Sequence, residues 1–411
     1  MYLRVSIRAL CCVVLLAWTS ASGLAQEPLT MDGAVERVLI DHPELAIWDA
    51  EMAGQEAAAR QASAYPNPEV QLELEEWGIQ RSWLGDEADV TLSVHQAIPL
   101  SDRRQAAADL ARSGRGSSLA GKAWARAQLV RDVRRRFARA ALAAAGVKLA
   151  QVGHELSLGV LEAITRRIEA GDLAPAELRR VEVEVLQAEL AVDDARGEAR
   201  TAVVALAATW GGQAEQLELV ALPEPAPPAR LSGGEKLWTA SAEAGVATAQ
   251  AEEALARAEI VPDLEVGLGW RESAAFETNS LVLSVGMPIP LWNRNEGQLD
   301  AARAGIRRAR FEAEAGKRIW QAGRAETEAR VRAASARYET MVTRLLPALE
   351  ASHKTVQDGF AEGRFDALDL LASREHLLAG KQAVLDSLRT YWEARIDLDW
   401  LQGGADKEIA Q

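Results

Sequence analysis

Apolar residues recur with two different periods along this chain, and each period predicts a different secondary structure. Between residues 178 and 206 they step by three and four, which predicts a helix with a coiled-coil seam. A second seam repeats every seven residues between 370 and 398. The seam residues are Leu178, Val181, Val185, Ala188, Val192, Ala195, Ala199, Ala202 and Leu206 in the first helix, and Leu370, Leu377, Val384, Tyr391 and Leu398 in the second.

Long helices precede both seams. Residues 101 to about 168 are rich in Ala, Arg, Glu and Leu, and residues from about 294 to 357 form a counterpart of similar length. At about 1.5 Å per residue the first stretch would extend roughly 100 Å, far beyond an ordinary globular helix. A shorter helix opens each half of the chain, over about 30 to 64 and 234 to 259. We therefore expect a mainly α fold built on two long helical hairpins.

Four short segments alternate apolar and polar residues with a period of two, which predicts β-strands with one apolar and one polar face. Each spans about ten residues, the length that a tilted strand needs to cross a bilayer. Aromatic residues at the strand ends fit interfacial girdles; they are Tyr65, Trp77, Trp83, Trp270 and Trp292. On the polar faces of the first and third strands the acidic and amide residues are Glu69, Gln71, Glu73, Glu75 and Glu265.

These patterns leave two alternatives open. Period-two alternation is also typical of a half-buried sheet in a soluble protein, and the seams are also typical of an ordinary soluble coiled coil. Four strands cannot close a membrane barrel alone, because about eight is the practical minimum. The membrane interpretation therefore requires a homo-oligomer whose copies pool their strands.

The chain is an internal duplication of a strand-strand-helix-hairpin unit. Residues 90–100 (VTLSVHQAIPL) match residues 281–291 (LVLSVGMPIPL). Three further pairs of segments, one before and two after this pair, match in the same order. A segment of sequence PEPAPP separates the copies and predicts a stiff extended linker. The expected domains are a signal peptide (1–25), a first repeat (26–222), a Pro-rich linker (223–230), a second repeat (231–404) and a C-terminal tail (405–411).

The first 25 residues have the layout of a secretory signal peptide. Two arginines form a basic start, residues 9–18 are apolar, and Gly23 and Ala25 are the small residues of a cleavage site. This predicts that the protein is exported. Both cysteines, Cys11 and Cys12, lie in this segment, so we expect no disulfide and no thiolate chemistry in the mature chain.

Charge and composition exclude further classes of function. The formal net charge is −14 and the basic residues are scattered, so we expect no nucleic-acid partner. The five histidines are also scattered, with no second histidine three or four positions away. Glycine-containing segments at 267–270 and 232–236 miss the spacing of nucleotide-binding loops. We expect no enzyme, no cofactor and no resident metal.

Taken together, these features resemble the TolC-type outer-membrane efflux family over essentially the whole mature chain. The resemblance rests on the proline-flanked first strand, the Ile-Pro-Leu sequences after strands two and four, and a glycine at each hairpin tip. It implies a homotrimer with a twelve-stranded transmembrane β-barrel, whose lumen the polar strand residues named above would line, and an α-helical tunnel. It also implies a location in the outer membrane of a Gram-negative cell envelope, extending into the periplasm. The implied role is a passive exit duct, with a periplasmic adaptor (membrane fusion) protein and an inner-membrane efflux pump as partners.

The resemblance also assigns roles to the hairpin tips. Asp369 matches a carboxylate at the family's periplasmic gate, whereas Ala372 stands where a second acid would be. Asp366 lies one turn earlier, and Glu177 takes the equivalent place in the first copy. A threefold ring of carboxylates would attract cations. The tip residues expected to meet the adaptor are Gly171, Pro175, Gly363 and Phe365.

Alternatives remain for the tips and for the whole chain. Asp366 and Asp369 also fit ordinary helix N-terminal acids stabilised by the helix dipole. Residues 170–177 (AGDLAPAE) are most similar to the heavy-metal (cobalt-zinc-cadmium type) branch of the family, which predicts metal cations as cargo. The other classes are a periplasmic adaptor, which normally has one hairpin, and a periplasmic coiled-coil scaffold, which would not expose apolar strand faces.

Overall fold

The structure is a computed structural model and describes residues 28–40, 42–75, 89–213, 217–226, 234–273 and 277–403. The expected signal peptide, the C-terminal tail and two of the strand-end aromatic residues, Trp77 and Trp83, lie outside these ranges. The expected linker is described only as far as residue 226.

Helices make up most of the described residues. They are α1 (Met31–Leu39), α2 (Pro43–Ser63), α3 (Arg103–Glu169), α4 (Ala176–Ala207), α5 (Gly234–Ala258), α6 (Glu296–Thr340), α7 (Leu346–Ala361) and α8 (Ala367–Leu401). α3 continues for 67 residues without interruption, which confirms the predicted long helix. Within the described ranges, no helix has both the length and the apolar character that a membrane span requires.

Four strands form one antiparallel sheet in chain order: β1 (Glu69–Glu75), β2 (Asp89–Ile98), β3 (Leu264–Ser273) and β4 (Thr278–Gly286). Glu69 pairs with His95, and Ile98 pairs with Leu264. The start of β1, the end of β2, the start of β3 and the end of β4 therefore lie at the same end of the sheet. α2, α3, α5 and α6 adjoin that end, so the sheet lies at one end of the helical part. β1 and β4 are the two edges of the sheet.

The single helix expected over about 30 to 64 is wrong, because α1 ends at Leu39 and α2 begins at Pro43. Proline suits the first turn of a helix, where no N–H is needed, and it disfavours helical backbone in the residue before it. The Glu44 amide donates a hydrogen bond to Nδ1 of His42 at 3.3 Å, which caps α2. Pro43 is the sequence signal that marks this break.

The long helix expected over about 294 to 357 is also interrupted. A π-helical turn at Met341–Leu345 separates α6 from α7, and Pro347 follows in the first turn of α7. Because Pro347 has no N–H, it cannot donate to the carbonyl of Thr343, and the wider turn accommodates the missing hydrogen bond. The sequence of α3 contains no proline, and that helix stays regular.

The core follows the two predicted seams. Val181 and Leu206 of α4, and Leu370 and Leu398 of α8, are at most 2 % exposed. One cluster packs α1 against α3 and the end of α4, a second joins the two hairpin tips, and a third joins α6 to α8. Burial is therefore spread along the helix contacts, and the seams are confirmed as packing faces.

A glycine pair on α3 tests how closely the helices pack. A Cβ on Gly121 would overlap the ring of Trp48 on α2, whereas a Cβ on Gly116 would meet no atom within 4 Å. We expect Gly121→Ala to lower the free energy of unfolding by about 1–3 kcal/mol, because the site has no room for the methyl group. Gly116→Ala should raise it by up to about 1 kcal/mol, because alanine favours helix. Unfolding in detergent measures both, and equal effects would contradict the packing.

Candidate functional site

One face of the sheet is apolar and exposed. Val70 pairs with Val94, and Leu268 pairs with Leu283, so apolar side chains adjoin across all four strands. Val70 is 71 % exposed, and Trp292, just beyond β4, is 94 % exposed. A continuous apolar surface of this kind is typical of contact with lipid or with another protein. Its exposed residues are Val70, Leu72, Leu74, Leu92, Val94, Leu268, Trp270, Leu281, Leu283 and Val285.

The opposite face of the sheet is polar, and it brings together the residues predicted to line the lumen. Glu69, Gln71, Glu73 and Glu75 alternate along β1 with its apolar side chains, and Glu265 has the same orientation on β3. The register places His95, Ser93, Thr91 and Asp89 opposite the four β1 residues. Five of the predicted site residues therefore share one face.

A residue that the sequence reasoning missed, Arg271, compensates part of this acidic charge. Its Nη2 lies 2.8 Å from Oε2 of Glu75, and its Nε donates to Oγ1 of Thr91 at 2.9 Å. Glu265 lies 3.8 Å from Nδ1 of His95. In the described part of the chain, no three His, Cys, Asp or Glu side chains are grouped to hold a metal ion. The polar face is therefore acidic but has no ready-made metal centre.

The two hairpin tips have the same backbone geometry. Gly171 and Gly363 adopt φ values of 84° and 80°, the left-handed region that glycine favours. The Asp172 amide donates to the carbonyl of Arg167 at 2.9 Å, and the Arg364 amide donates to that of Gly359 at 2.7 Å. Each pattern is a Schellman turn that ends the incoming helix. The backbone conformation of each tip therefore favours glycine at these two positions, independently of any contact with an adaptor.

The two candidate gate aspartates form a capping box at the start of α8. The Asp369 amide donates to Oδ1 of Asp366 at 2.8 Å, and the Asp366 amide donates to Oδ2 of Asp369 at 3.2 Å. Both side chains remain exposed. Within a single chain, these two carboxylates therefore cap the N-terminus of α8, as the alternative of ordinary helix N-terminal acids describes. A role in a gate stays a prediction.

The first tip lacks this cap. Pro175 precedes α4 and offers no side-chain acceptor. One carboxylate oxygen of Glu177, Oε2, is buried and has no hydrogen-bond partner within the described ranges. The two repeats therefore differ in how the carboxylates at their hairpin tips are hydrogen-bonded.

Contacts across the repeats join the two tips. Nη1 of Arg167 donates to the Phe360 carbonyl at 3.2 Å, and its guanidinium carbon lies 5.0 Å from the centroid of the Phe360 ring. Phe365, a predicted adaptor contact, is half-buried and packs against Gly359. Gly171, Pro175 and Gly363 are exposed. Arg167 was missed because no local pattern relates it to residues about 190 positions away.

A buried polar group also bridges the hairpins. Arg374 on α8 is 8 % exposed, and its Nη2 lies 2.6 Å from Oε2 of Glu184 on α4. Its Nη1 donates to Oγ of the buried Ser157 on α3. On the neighbouring α7, Nδ1 of the buried His353 lies 2.9 Å from Oγ of Ser373. Burial, followed by the nearby Arg374 charge, holds the pKa of His353 below its ordinary value of 6.5.

The cap of α8 gives a test that separates charge from hydrogen bonding. Asp366→Ala removes the acceptor for the Asp369 amide, and we expect it to lower the free energy of unfolding by about 1 kcal/mol. Asp366→Asn keeps an oxygen in that place and should change the free energy by less than about 0.5 kcal/mol. Amide hydrogen exchange over the first turn of α8 measures the effect. Equal damage by both variants would contradict the capping role.

The buried His353 predicts how stability depends on pH. The folded state binds the His353 proton more weakly than the unfolded state. The contribution of His353 to the free energy of unfolding is therefore fully present above pH 6.5, and it is lost as the pH drops towards the lower folded-state pKa. We expect the melting temperature to fall on acidification, and His353→Gln to remove part of that fall. His376→Gln, at an exposed histidine of α8, is the matched control because it removes an imidazole that is not buried. The same slope in all three proteins would contradict this account.

Comparison with known proteins places this fold. The outer membrane efflux protein family matches residues 34–212 and 239–404. The cobalt-zinc-cadmium resistance protein CzcC of Cupriavidus metallidurans is 26 % identical over 386 residues, which cover 92 % of this chain and 91 % of that protein. The solved structure of CusC has a TM-score of 0.76 at 15 % identity, covering 91 % of this chain and 92 % of that one. That of VceC from Vibrio cholerae has a TM-score of 0.72 at 18 % identity, covering 91 % and 96 %. This chain therefore belongs to the outer membrane efflux protein family and is an efflux channel subunit of the outer membrane.

Proposed function

We propose that three copies of this chain form a passive exit duct for metal cations, the outermost component of a three-part efflux assembly. The observation that carries the proposal is a sheet with an exposed apolar face, an acidic polar face and two edges, β1 and β4, that pair with no further strand in the described ranges. Such a sheet is incomplete as a single copy in water.

Closure of the sheet supports the trimer. Each large apolar side chain contributes about 1.5–3 kcal/mol when it leaves water, so the apolar face favours the hydrocarbon of the membrane. In hydrocarbon, each unpaired backbone group costs several kcal/mol, so the edges β1 and β4 must pair with neighbouring copies. Four strands are too few for a barrel, whereas three copies supply twelve.

The polar face then lines the lumen of that barrel. Glu69 and Glu73 have no ion-pair partner in the part of the chain that the structure describes, whereas Glu75 is paired with Arg271. Repetition around a threefold axis would give rings of negative charge, which favour cations over anions in a pore. The lumen residues that we propose are Glu69, Gln71, Glu73, Glu75 and Glu265.

At the other end of the duct, the hairpin tips form the proposed gate. Asp366 and Asp369 are exposed, and three copies would bring six such carboxylates around the axis. The unpartnered Oε2 of Glu177 supports a contact that forms only in the assembly. Ala372 reduces the charge of this ring relative to a tip with one more acid. We propose that this gate holds cations weakly enough to release them.

The partners follow from the family. A passive duct needs an energy-coupled pump in the inner membrane and a periplasmic adaptor that links the two. Gly171, Pro175 and Gly363 are exposed at the tips and suit the adaptor contact, whereas the half-buried Phe365 supports the shape of its own tip. The name of the relative CzcC, a cobalt-zinc-cadmium resistance protein, supports divalent metal cations as the cargo.

We propose that residues 1–25 are removed on export and that residues 26–222 and 231–404 are the two repeats, joined by the linker 223–230 and followed by the tail 405–411. We also propose that the chain catalyses no reaction and uses no cofactor, since its role is to enclose a path.

Charge removal that preserves the cap tests the gate. In reconstituted channels we expect Asp366→Asn with Asp369→Asn to lower the cation-over-anion permeability ratio by at least about twofold, because charge at the constriction is lost. Alanine is unsuitable because it also removes the capping box. Asp193→Asn with Asp194→Asn, about 25 Å along α4 from the tip, removes the same charge and should leave the ratio unchanged. An unchanged permeability ratio in the tip variant would contradict the gate role of these aspartates without contradicting the proposed duct.

A further inference from the structure

A cleft of about 440 Å³ lies where the sheet meets the helices, between the end of α2, the start of α3 and the end of α5. Two adjacent arginines line it. Nη2 of Arg103 donates to Oδ2 of Asp263 at 2.7 Å, so the charge of Arg103 is compensated inside the protein. Arg104 has no carboxylate within ion-pair distance in the described part of the chain. Of the two guanidinium groups in the cleft, that of Arg104 is the one without an ion-pair partner among the described residues.

Arg104 is also held in a fixed position. Its guanidinium carbon lies 3.5 Å from the centroid of the Tyr65 ring, and its Nη1 donates to the Ser63 carbonyl at 2.8 Å. This carbonyl is its one hydrogen-bond acceptor among the described residues, and its buried Nε has none. A stacked guanidinium with donors left over suits an acceptor that presents two oxygens to it, such as a phosphate.

The cleft lies at the rim of the apolar sheet face. Gln96 continues the register of Leu92 and Val94 on that face, and its side-chain amide donates to the Pro66 carbonyl at 2.9 Å. The neighbouring Tyr65 is exposed over most of its surface. Tyrosine is enriched where hydrocarbon meets the headgroups, because its ring is apolar and its hydroxyl is polar. This rim is the boundary between the proposed membrane part and the periplasmic helices.

We propose that this cleft binds the phosphate of a glycerophospholipid from the periplasmic leaflet, with Arg104 as the phosphate ligand and Tyr65 as its support. The inference rests on the proposed function, because it needs the apolar face to lie in the membrane. Glu259 also lines the cleft, and its carboxylate suits the ammonium of an ethanolamine headgroup. The bound lipid would fix the depth of the sheet in the bilayer.

Lipid titration of the purified full-length protein in detergent tests this site. Native mass spectrometry counts bound phosphatidylethanolamine, and we expect Arg104→Gln to weaken its binding about tenfold, because a charge-assisted hydrogen bond is lost. The matched control is Arg115→Gln, an exposed arginine about 16 Å further along α3, which should bind lipid like the wild type. Arg104→Lys keeps the charge without the planar fork, so it should weaken lipid binding less than Arg104→Gln does. It also serves as the test variant if Arg104→Gln does not assemble, and wild-type lipid affinity in Arg104→Lys would then contradict the site.

Three results would overturn the site. The first is wild-type affinity for phosphatidylethanolamine in Arg104→Gln. The second is equal binding of diacylglycerol, which has no phosphate, and the third is equal binding of glycerophosphoethanolamine, which has no acyl chains. The last would assign the cleft to a free anion. If the wild-type channel conducts normally and Arg104→Gln still binds the lipid, only the lipid site is contradicted. A protein that does not insert at all contradicts the proposed function.

Discussion

The pairing of β2 with β3 is the constraint on which the rest of this structure depends. It joins strands from the two halves of the chain, with Ile98 opposite Leu264 and Asp89 opposite Ser273, and so makes one sheet out of two hairpins. Because all four strands meet their helices at the same end, this pairing also places the helical part at one end of the sheet. The polar and apolar faces are then continuous across both repeats.

A single copy leaves that sheet incomplete, and the incompleteness points to the assembly. Among the described residues, the outer edges of β1 and β4 pair with no further strand, and the apolar face stays exposed. The helical part is satisfied differently, because its seams are buried and Arg167 and Arg374 link the two hairpins within one copy. The protomer is therefore stable along its helices and depends on lipid and on neighbouring copies at its sheet.

Sequence patterns predicted the parts that repeat and missed the parts that depend on contacts between distant residues. Leu370 and Leu398 follow a heptad and are buried as predicted. The helix breaks had local signals in Pro43 and Pro347, but the surrounding helical pattern concealed them. The contact between Arg104 and Tyr65 had no signal at all, because only the fold brings the two side chains together. The capping box fits the three-residue spacing of its two aspartates, which take the N-cap and N3 positions that usually hold Ser or Thr and Glu or Gln.

Several copies of this sheet close into a channel, and the conductance of the wild-type protein in a planar lipid bilayer is the measurement that checks this closure. We expect discrete, cation-preferring conductance steps from a detergent-purified protein whose mass is that of three chains. A protein that stays soluble without detergent and produces no steps would contradict it, because the apolar face would then have to be covered by something other than the membrane.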